Sequence, residues 1–282
     1  MNFLKPFAAM AAACWLGATA HAGAITVKGS DTLVVLAQKW AEVYMGNNPQ
    51  TKIQVTGGGT GTGFAALQNK TTDICNASRK IKAKETENCI KAFGKRPTEY
   101  KVAMDGLSIY VNAENPLKAI SVEELEGIFT GKIKNWQDIG GPDAPITVYS
   151  RENSSGTYEF FKEHVLQGKD FGAGAQTLQG TAQVLQAVAK DKFGIGYGGA
   201  AYGQGAKHLM VAKTKGGEAI EPNEENVISG KYPISRYLYC YVNPALDKDE
   251  TAAYLKWIRG EEGQKLVQDV GYYPLPTQFR AN

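Results

Sequence analysis

Three short segments of this chain carry residue types that hold an anion: Gly29-Ser-Asp-Thr32, Gly57-Gly-Gly-Thr-Gly-Thr-Gly63 and Ser154-Ser-Gly-Thr157. Each follows a β-like run and precedes a helical pattern. The first N–H groups of a helix have no internal acceptor, and the helix dipole adds partial positive charge there. Glycine lets an anion approach the backbone, and Ser or Thr hydroxyls add donors. Several such helix starts meeting in one place would hold a phosphate- or sulfate-like group. The same residues also serve as plain helix caps, and Ser30 or Asp31 is placed to cap the helix that follows.

Arg151 makes the third segment more specific. A guanidinium beside a helix N-terminus suits a tetrahedral oxyanion, because its planar fork donates two hydrogen bonds. The competing role is a surface ion pair with Glu152 or Glu159. Arg79, after a third strand, is a further candidate; it could equally pair with a carboxylate across a cleft. Other chemistries lack their signatures. No Gly-Lys is followed by Ser or Thr, so there is no P-loop. Gly61-Thr-Gly63-Phe-Ala-Ala66 has no acidic residue at the distance a dinucleotide site requires. A hydrolase using Ser155 or Ser30 would need a positioned base, and no Gly-x-Ser-x-Gly elbow occurs.

Positioning such loops calls for repeated strand–loop–helix units. Ile25–Val27, Lys52–Val55 and Asp73–Cys75 read as strands, with helical patterns over Leu33–Met45 and Phe64–Asn69. Val102–Asn112 reads as one longer strand, and Ser121 with Glu124 opens a helix as a capping box. Ile146–Tyr149 is a strand before the helix Tyr158–Leu166. Helix Thr181–Ala189, strands Phe193–Tyr197 and Tyr239–Asn243, and helical patterning over Asp249–Val270 follow, with Gly260 and Gly263 as interruptions. The pattern predicts an α/β fold with a largely parallel sheet, whose ligands bind beyond the carboxyl ends of the strands.

Composition agrees with a globular chain of one large domain or two: 282 residues, 43% apolar, 21% charged and a net charge of +3. That balance argues against a nucleic-acid partner. Met1–Ala22 reads as a secretory signal, with Lys5, an apolar run and Ala20-His-Ala22 as a cleavage site; lipid attachment at Cys14 is the competing reading. Export implies an oxidising compartment. Cys75 and Cys89 are a candidate disulfide, and Cys240 reads as a buried free thiol. Of the histidines beyond the signal, His164 and His208, neither has a ligand partner near it in sequence, so no metal or cofactor is expected.

Taken together, Val27-Lys-Gly-Ser-Asp-Thr32, Gly57–Gly63, Asp73-Ile-Cys-Asn-Ala-Ser-Arg79, Asp105-Gly106, Leu125-Glu-Gly-Ile-Phe129, Asn135-Trp136, Ser150–Thr157, Gly194-Ile-Gly-Tyr197 and Gly271-Tyr-Tyr-Pro-Leu275 resemble the PstS-type phosphate-binding proteins of bacterial ABC importers, in their shorter form. The resemblance implies a two-lobed type 2 periplasmic-binding-protein fold with two crossing hinge strands. One lobe would be residues 23–114 plus 231–282, the other 115–230. It points to Ser30, Asp31, Thr32, Thr60 and Ser78 from the first lobe, and to Arg151, Ser155, Gly156 and Thr157 from the second. Longer members place an aspartate where this chain has Ser78, to accept the proton of hydrogen phosphate. Here that role falls to Asp105 or Asp31, with Asp105 favoured. The resemblance further implies a periplasmic monomer without enzymatic activity, which takes inorganic phosphate to a membrane permease. A binder of sulfate or molybdate is the nearest alternative; the sequence is silent on adhesion or sensing.

Overall fold

The computed structural model of the chain describes residues 24–203, 206–244 and 250–281; the expected signal, with Cys14, lies outside them. Ile25 and Val27 turn inward from β1 (Ile25–Gly29), and a 3-10 turn over Asp31–Leu33 leads into α1 (Val34–Asn47). Then come β2 (Ile53–Thr56), α2 (Thr60–Gln68), β3 (Ile74–Ala77), α3 (Ala83–Phe93) and β4 (Thr98–Gly106). The middle of the chain forms β5 (Ser108–Val111), β6 (Ala119–Ser121), α4 (Val122–Phe129), β7 (Thr147–Arg151), α5 (Gly156–His164), β8 (Gln176–Leu178), α6 (Thr181–Lys190) and β9 (Gly194–Gly198). The rest is β10 (Lys207–Ala212), β11 (Ala219–Ile220), α7 (Glu224–Ile228), β12 (Ser235–Val242), α8 (Glu250–Arg259) and α9 (Glu261–Val270). Among the described residues no helix is long and apolar enough to cross a membrane.

The strands build two sheets, in the orders β2-β1-β3-β12-β4 and β11-β10-β5-β9-β7-β8, with β6 beside β10. Both sheets are mixed, which corrects the largely parallel sheet expected from sequence. The strand–loop–helix units pair in parallel, as in β1 with β2 and β3, and β7 with β8 and β9. Strands entering from the other half of the chain, β12 and β5, pair antiparallel.

The long strand expected over 102–112 is two strands in different sheets. β4 ends in the first sheet at Gly106, and β5 starts in the second at Ser108. Residues 108–111, expected with the first lobe, therefore pair with β9 and β10. The chain crosses at the fully buried Leu107 and crosses back before β12. The two crossings are tied together: Leu107 N–H donates to Ile234 O at 3.0 Å, and Tyr232 OH donates to Leu107 O at 2.8 Å.

Each sheet has its own core. In the second, Phe161 stacks on Tyr197 at 4.1 Å and meets Phe129 edge-on at 4.7 Å. Such ring pairs add about 0.5–1.5 kcal/mol beyond their buried area. A Cβ at Gly196 of β9 would lie 2.6 Å from Val184 and 3.0 Å from Val188, so α6 seats on the glycine face of that strand, while Ile195 and Tyr197 point to the other. In the first core the buried Trp40 anchors α1 to α9, donating Nε1–H to Gly263 O at 2.8 Å. Gly260 separates α8 from α9, whereas Gly263 lies inside α9.

The disulfide expected between Cys75 and Cys89 is not formed; both are buried free thiols, as is Cys240. The reason is packing. Helix α2 lies against both β3 and α3, and the two cysteines fill that contact as small apolar groups, with Phe64 and Leu67. Burial pushes the Cys89 thiol up to about 11 and that of Cys240 up to about 12.

Candidate oxyanion site between the lobes

The carboxyl ends of β1, β2, β3 and β7 all feed loops into the cleft between the sheets. At the end of β1, Ser30 and Asp31 do not cap the following helix, contrary to expectation. The Ser30 hydroxyl is buried and has no protein hydrogen-bond partner. Asp31 instead accepts from Gly58 N–H at 2.8 Å and from Arg151 Nη2 at 2.9 Å. The loop after β7 does cap its helix: Ser155 Oγ accepts from Tyr158 N–H at 3.2 Å at the start of α5.

Four hydroxyl-bearing residues converge beside that helix start. Thr157 Oγ1 lies 2.7 Å from Thr32 Oγ1 and 3.4 Å from Ser78 Oγ. Ser78 Oγ is 3.4 Å from Thr60 Oγ1, which accepts from Ser78 N–H at 3.1 Å. Thr32, Thr60, Ser78 and Thr157 are all essentially inaccessible to solvent. Gly156 is what allows the approach: a Cβ there would sit 2.8 Å from Ser78 Oγ and closer still to Thr60 Oγ1. The lobes also touch through the backbone, with Gly61 N–H donating to Ser154 O at 2.8 Å.

Arg151 is 1% exposed and makes four hydrogen bonds, against the five N–H donors of a guanidinium. Besides Asp31, it donates to Thr181 Oγ1 at 2.9 Å and to Gln179 O at 2.7 and 3.1 Å. Burial lowers its pKa from the usual arginine value, and the facing Asp31 opposes that shift. The pair with Glu152 or Glu159 considered from sequence is not made. Glu152 accepts from Ser154 Oγ, and Glu159 pairs with Lys82 at 2.7 Å. Arg79 does not reach across the cleft: it forms a two-pronged pair with Glu85 of α3, at 2.8 Å on each side.

Asp105 is fully buried at the floor of the cleft. Its Oδ1 accepts from Ala200 N–H at 2.9 Å, and its Oδ2 accepts from Arg236 Nε at 3.0 Å and Nη2 at 2.8 Å. Arg236 also donates to Ser78 O at 2.9 Å and Thr157 Oγ1 at 3.0 Å. Sequence reasoning missed Arg236. The available signal was a lone charge in the uncharged run Pro233–Val242, since an isolated charge in a buried strand needs a partner. Among the described residues no group of three or more His, Cys, Asp or Glu side chains gathers as a metal site.

The chemistry this allows is donor-rich. A guanidinium and a backbone N–H only donate, so Thr157 and Thr60 must accept from Arg236 and Ser78 respectively. Each hydroxyl then has its one proton left for a neighbour or an anion. Two sheets joined by crossing strands, with helix starts, hydroxyls and an arginine facing across the cleft, define a type 2 periplasmic-binding-protein fold. The PBP superfamily domain matches residues 17–262. A phosphate-binding protein PstS from Pseudomonas aeruginosa is 35% identical over 277 residues, covering 93% of this chain and 86% of its own. PstS of Bacillus subtilis is 34% identical over 257 residues, covering 90% and 81%. The chain belongs to the PBP superfamily and, within it, to the PstS-type phosphate-binding proteins. It is also similar in structure to a substrate-binding protein assigned to phosphate ABC transport in Clostridium perfringens, solved with bound phosphate. The TM-score is 0.81 at 26% identity, covering 90% of this chain and all of that one.

Proposed function

We propose that this protein captures inorganic phosphate between its two lobes in the periplasm and delivers it to the membrane permease of an ABC importer. The observation that carries the reading is the closure of Thr32, Thr60, Ser78 and Thr157 around Gly156, with the unpartnered Ser30 hydroxyl in the loop that supplies Thr32. Phosphate would be stripped of water and held by these hydroxyls, the first N–H groups of α5 and the guanidinium of Arg151. The lobes follow the two sheets, with changeovers at Leu107 and just before β12, and they move by a hinge. The expected signal over Met1–Ala22 supports the periplasmic assignment.

The protein works as a monomeric carrier and does no chemistry on its ligand. Ser155 Oγ is occupied in capping α5, and His164 rests against the Phe160 ring. Of the two carboxylates that could accept the proton of hydrogen phosphate, Asp31 is the better placed. It shares a turn with Ser30 and Thr32, whereas Asp105 reaches the hydroxyls only through Arg236. Calorimetric titration with phosphate, arsenate, sulfate and molybdate tests the reading. Phosphate and arsenate are expected to bind far more tightly than the other two. Tighter binding of sulfate or molybdate would reassign the protein to that oxyanion.

A further inference from the structure

Arg236 is a buried cation that the phosphate reading does not itself use. Its side chain is 3% exposed and that of Asp105 0%. The two residues are register partners on β12 and β4, at the point where the chain passes between sheets. The pair holds the second lobe at two places. Arg236 Nη2 reaches Thr157 Oγ1 of α5 at 3.0 Å, and Asp105 Oδ1 receives Ala200 N–H, just after β9, at 2.9 Å. On the first lobe, Arg236 Nη1 donates to Ser78 O at 2.9 Å. Phe160 of α5 closes the other side, its ring centre 5.1 Å from the guanidinium carbon.

We propose that Arg236 is a positioning residue for the anion: braced by Asp105, it latches the closed lobes at Thr157 and fixes the direction of that hydroxyl. Because a guanidinium cannot accept, Thr157 Oγ must, so its proton points away from Arg236. It points to Thr32 or Ser78 in the first lobe or to the bound anion. The latch exists only while the lobes are together, so it slows release of the ligand more than it speeds capture. Lysine keeps the charge opposite Asp105, but its compact ammonium cannot span Asp105, Ser78 O and Thr157 at once.

The inference rests on the phosphate reading, so the wild-type protein is titrated with phosphate first; failure there overturns that reading and the latch with it. If the wild type binds, Arg236→Lys is expected to weaken phosphate by about 10- to 100-fold, mainly through faster dissociation in stopped flow. Thr157→Val combined with Arg236→Lys is expected to lose little more than the worse single variant, since both remove one interaction. A role confined to fold stability would lower the melting temperature and leave the dissociation rate alone. Affinity within about twofold of wild type, or single losses that multiply as independent ones, overturns the latch. If Arg236→Lys is not recovered folded, Asp105→Asn with Arg236→Gln removes both charges together and retains the buried shape. That protein is held to the same phosphate titration, where unchanged affinity again overturns the proposal.

Discussion

Two arginine–aspartate pairs flank the cleft, and they share chemistry but not construction. Arg151 and Asp31 come from different lobes, 120 residues apart in the chain, and Asp31 keeps 19% of its side chain exposed. Arg236 and Asp105 sit on neighbouring strands in register, both almost wholly buried. The first pair can form and break as the lobes move. The second is held by the sheet whatever the lobes do, and only its outward bonds to Thr157 and Ala200 depend on closure. An ion pair at a moving interface can answer to a ligand, whereas one built into a sheet can only set the frame the ligand meets.

The largest effect should come from the mobile pair. Arg151→Ala removes the guanidinium from the oxyanion loops and leaves Asp31 facing the site as an unpaired negative charge. Phosphate binding is expected to fall by about 1,000-fold or more, the sum of lost charge-assisted bonds and new repulsion. Calorimetry should show this in a protein that still folds, though with a lowered melting temperature, because the buried arginine also bonds Gln179 O and the buried Thr181 at the start of α6 within its own lobe. If phosphate affinity survived, the two pairs would have to exchange roles.

The next contrast is in stability. Asp105→Asn leaves Arg236 as a buried cation with a neutral partner, and breaking such pairs costs about 3–5 kcal/mol. Asp31→Asn breaks a pair whose acid is partly solvated, for which about 1 kcal/mol is the expected scale. Urea unfolding should therefore separate the two variants clearly. Competition binding should separate them in the opposite sense: Asp31→Asn narrows the preference for phosphate over sulfate, and Asp105→Asn leaves it in place. If Asp105→Asn alone erased the preference, the proton acceptor would be the carboxylate at the floor.

What could be read from the residues alone follows the same division. The α/β class, the strand–loop–helix units and the capping roles of Ser121 and Ser155 depend on residues a few positions apart, and local spacing encodes them. Asp31 was legible as a candidate site residue but not its partners, because its side chain leaves the local cap for Gly58 and Arg151. The crossing at Leu107 was overlooked although Asp105-Gly106 interrupts the apolar run just before it, because the residues on either side are all buried and read together as one strand. Arg236 was overlooked because a strand of tyrosines and aliphatics reads as core, and its partner had already been given another role. The cysteines misled through spacing: a short loop permits a bond, but α2 settles against both elements and spends the thiols on packing.

A second interlobe ion pair shows how much of the comparison is burial and how much is charge. Lys82 and Glu159 meet at 2.7 Å across the cleft, with side chains 43% and 22% exposed. Like Arg151–Asp31, the pair forms only when the lobes approach; unlike it, water solvates both partners, and salt screens them. Exposed pairs contribute about 0.2–1 kcal/mol, so Lys82→Ala should weaken phosphate by no more than about fivefold. The loss should shrink further as ionic strength rises, while that of Arg151→Ala should not. Measuring both variants across a salt series isolates the variable. A Lys82→Ala loss as large and as salt-insensitive as that of Arg151→Ala would mean that any charge bridging the lobes suffices to hold them shut. The small, salt-sensitive loss expected here means that the buried fork, not the bridge, does the holding.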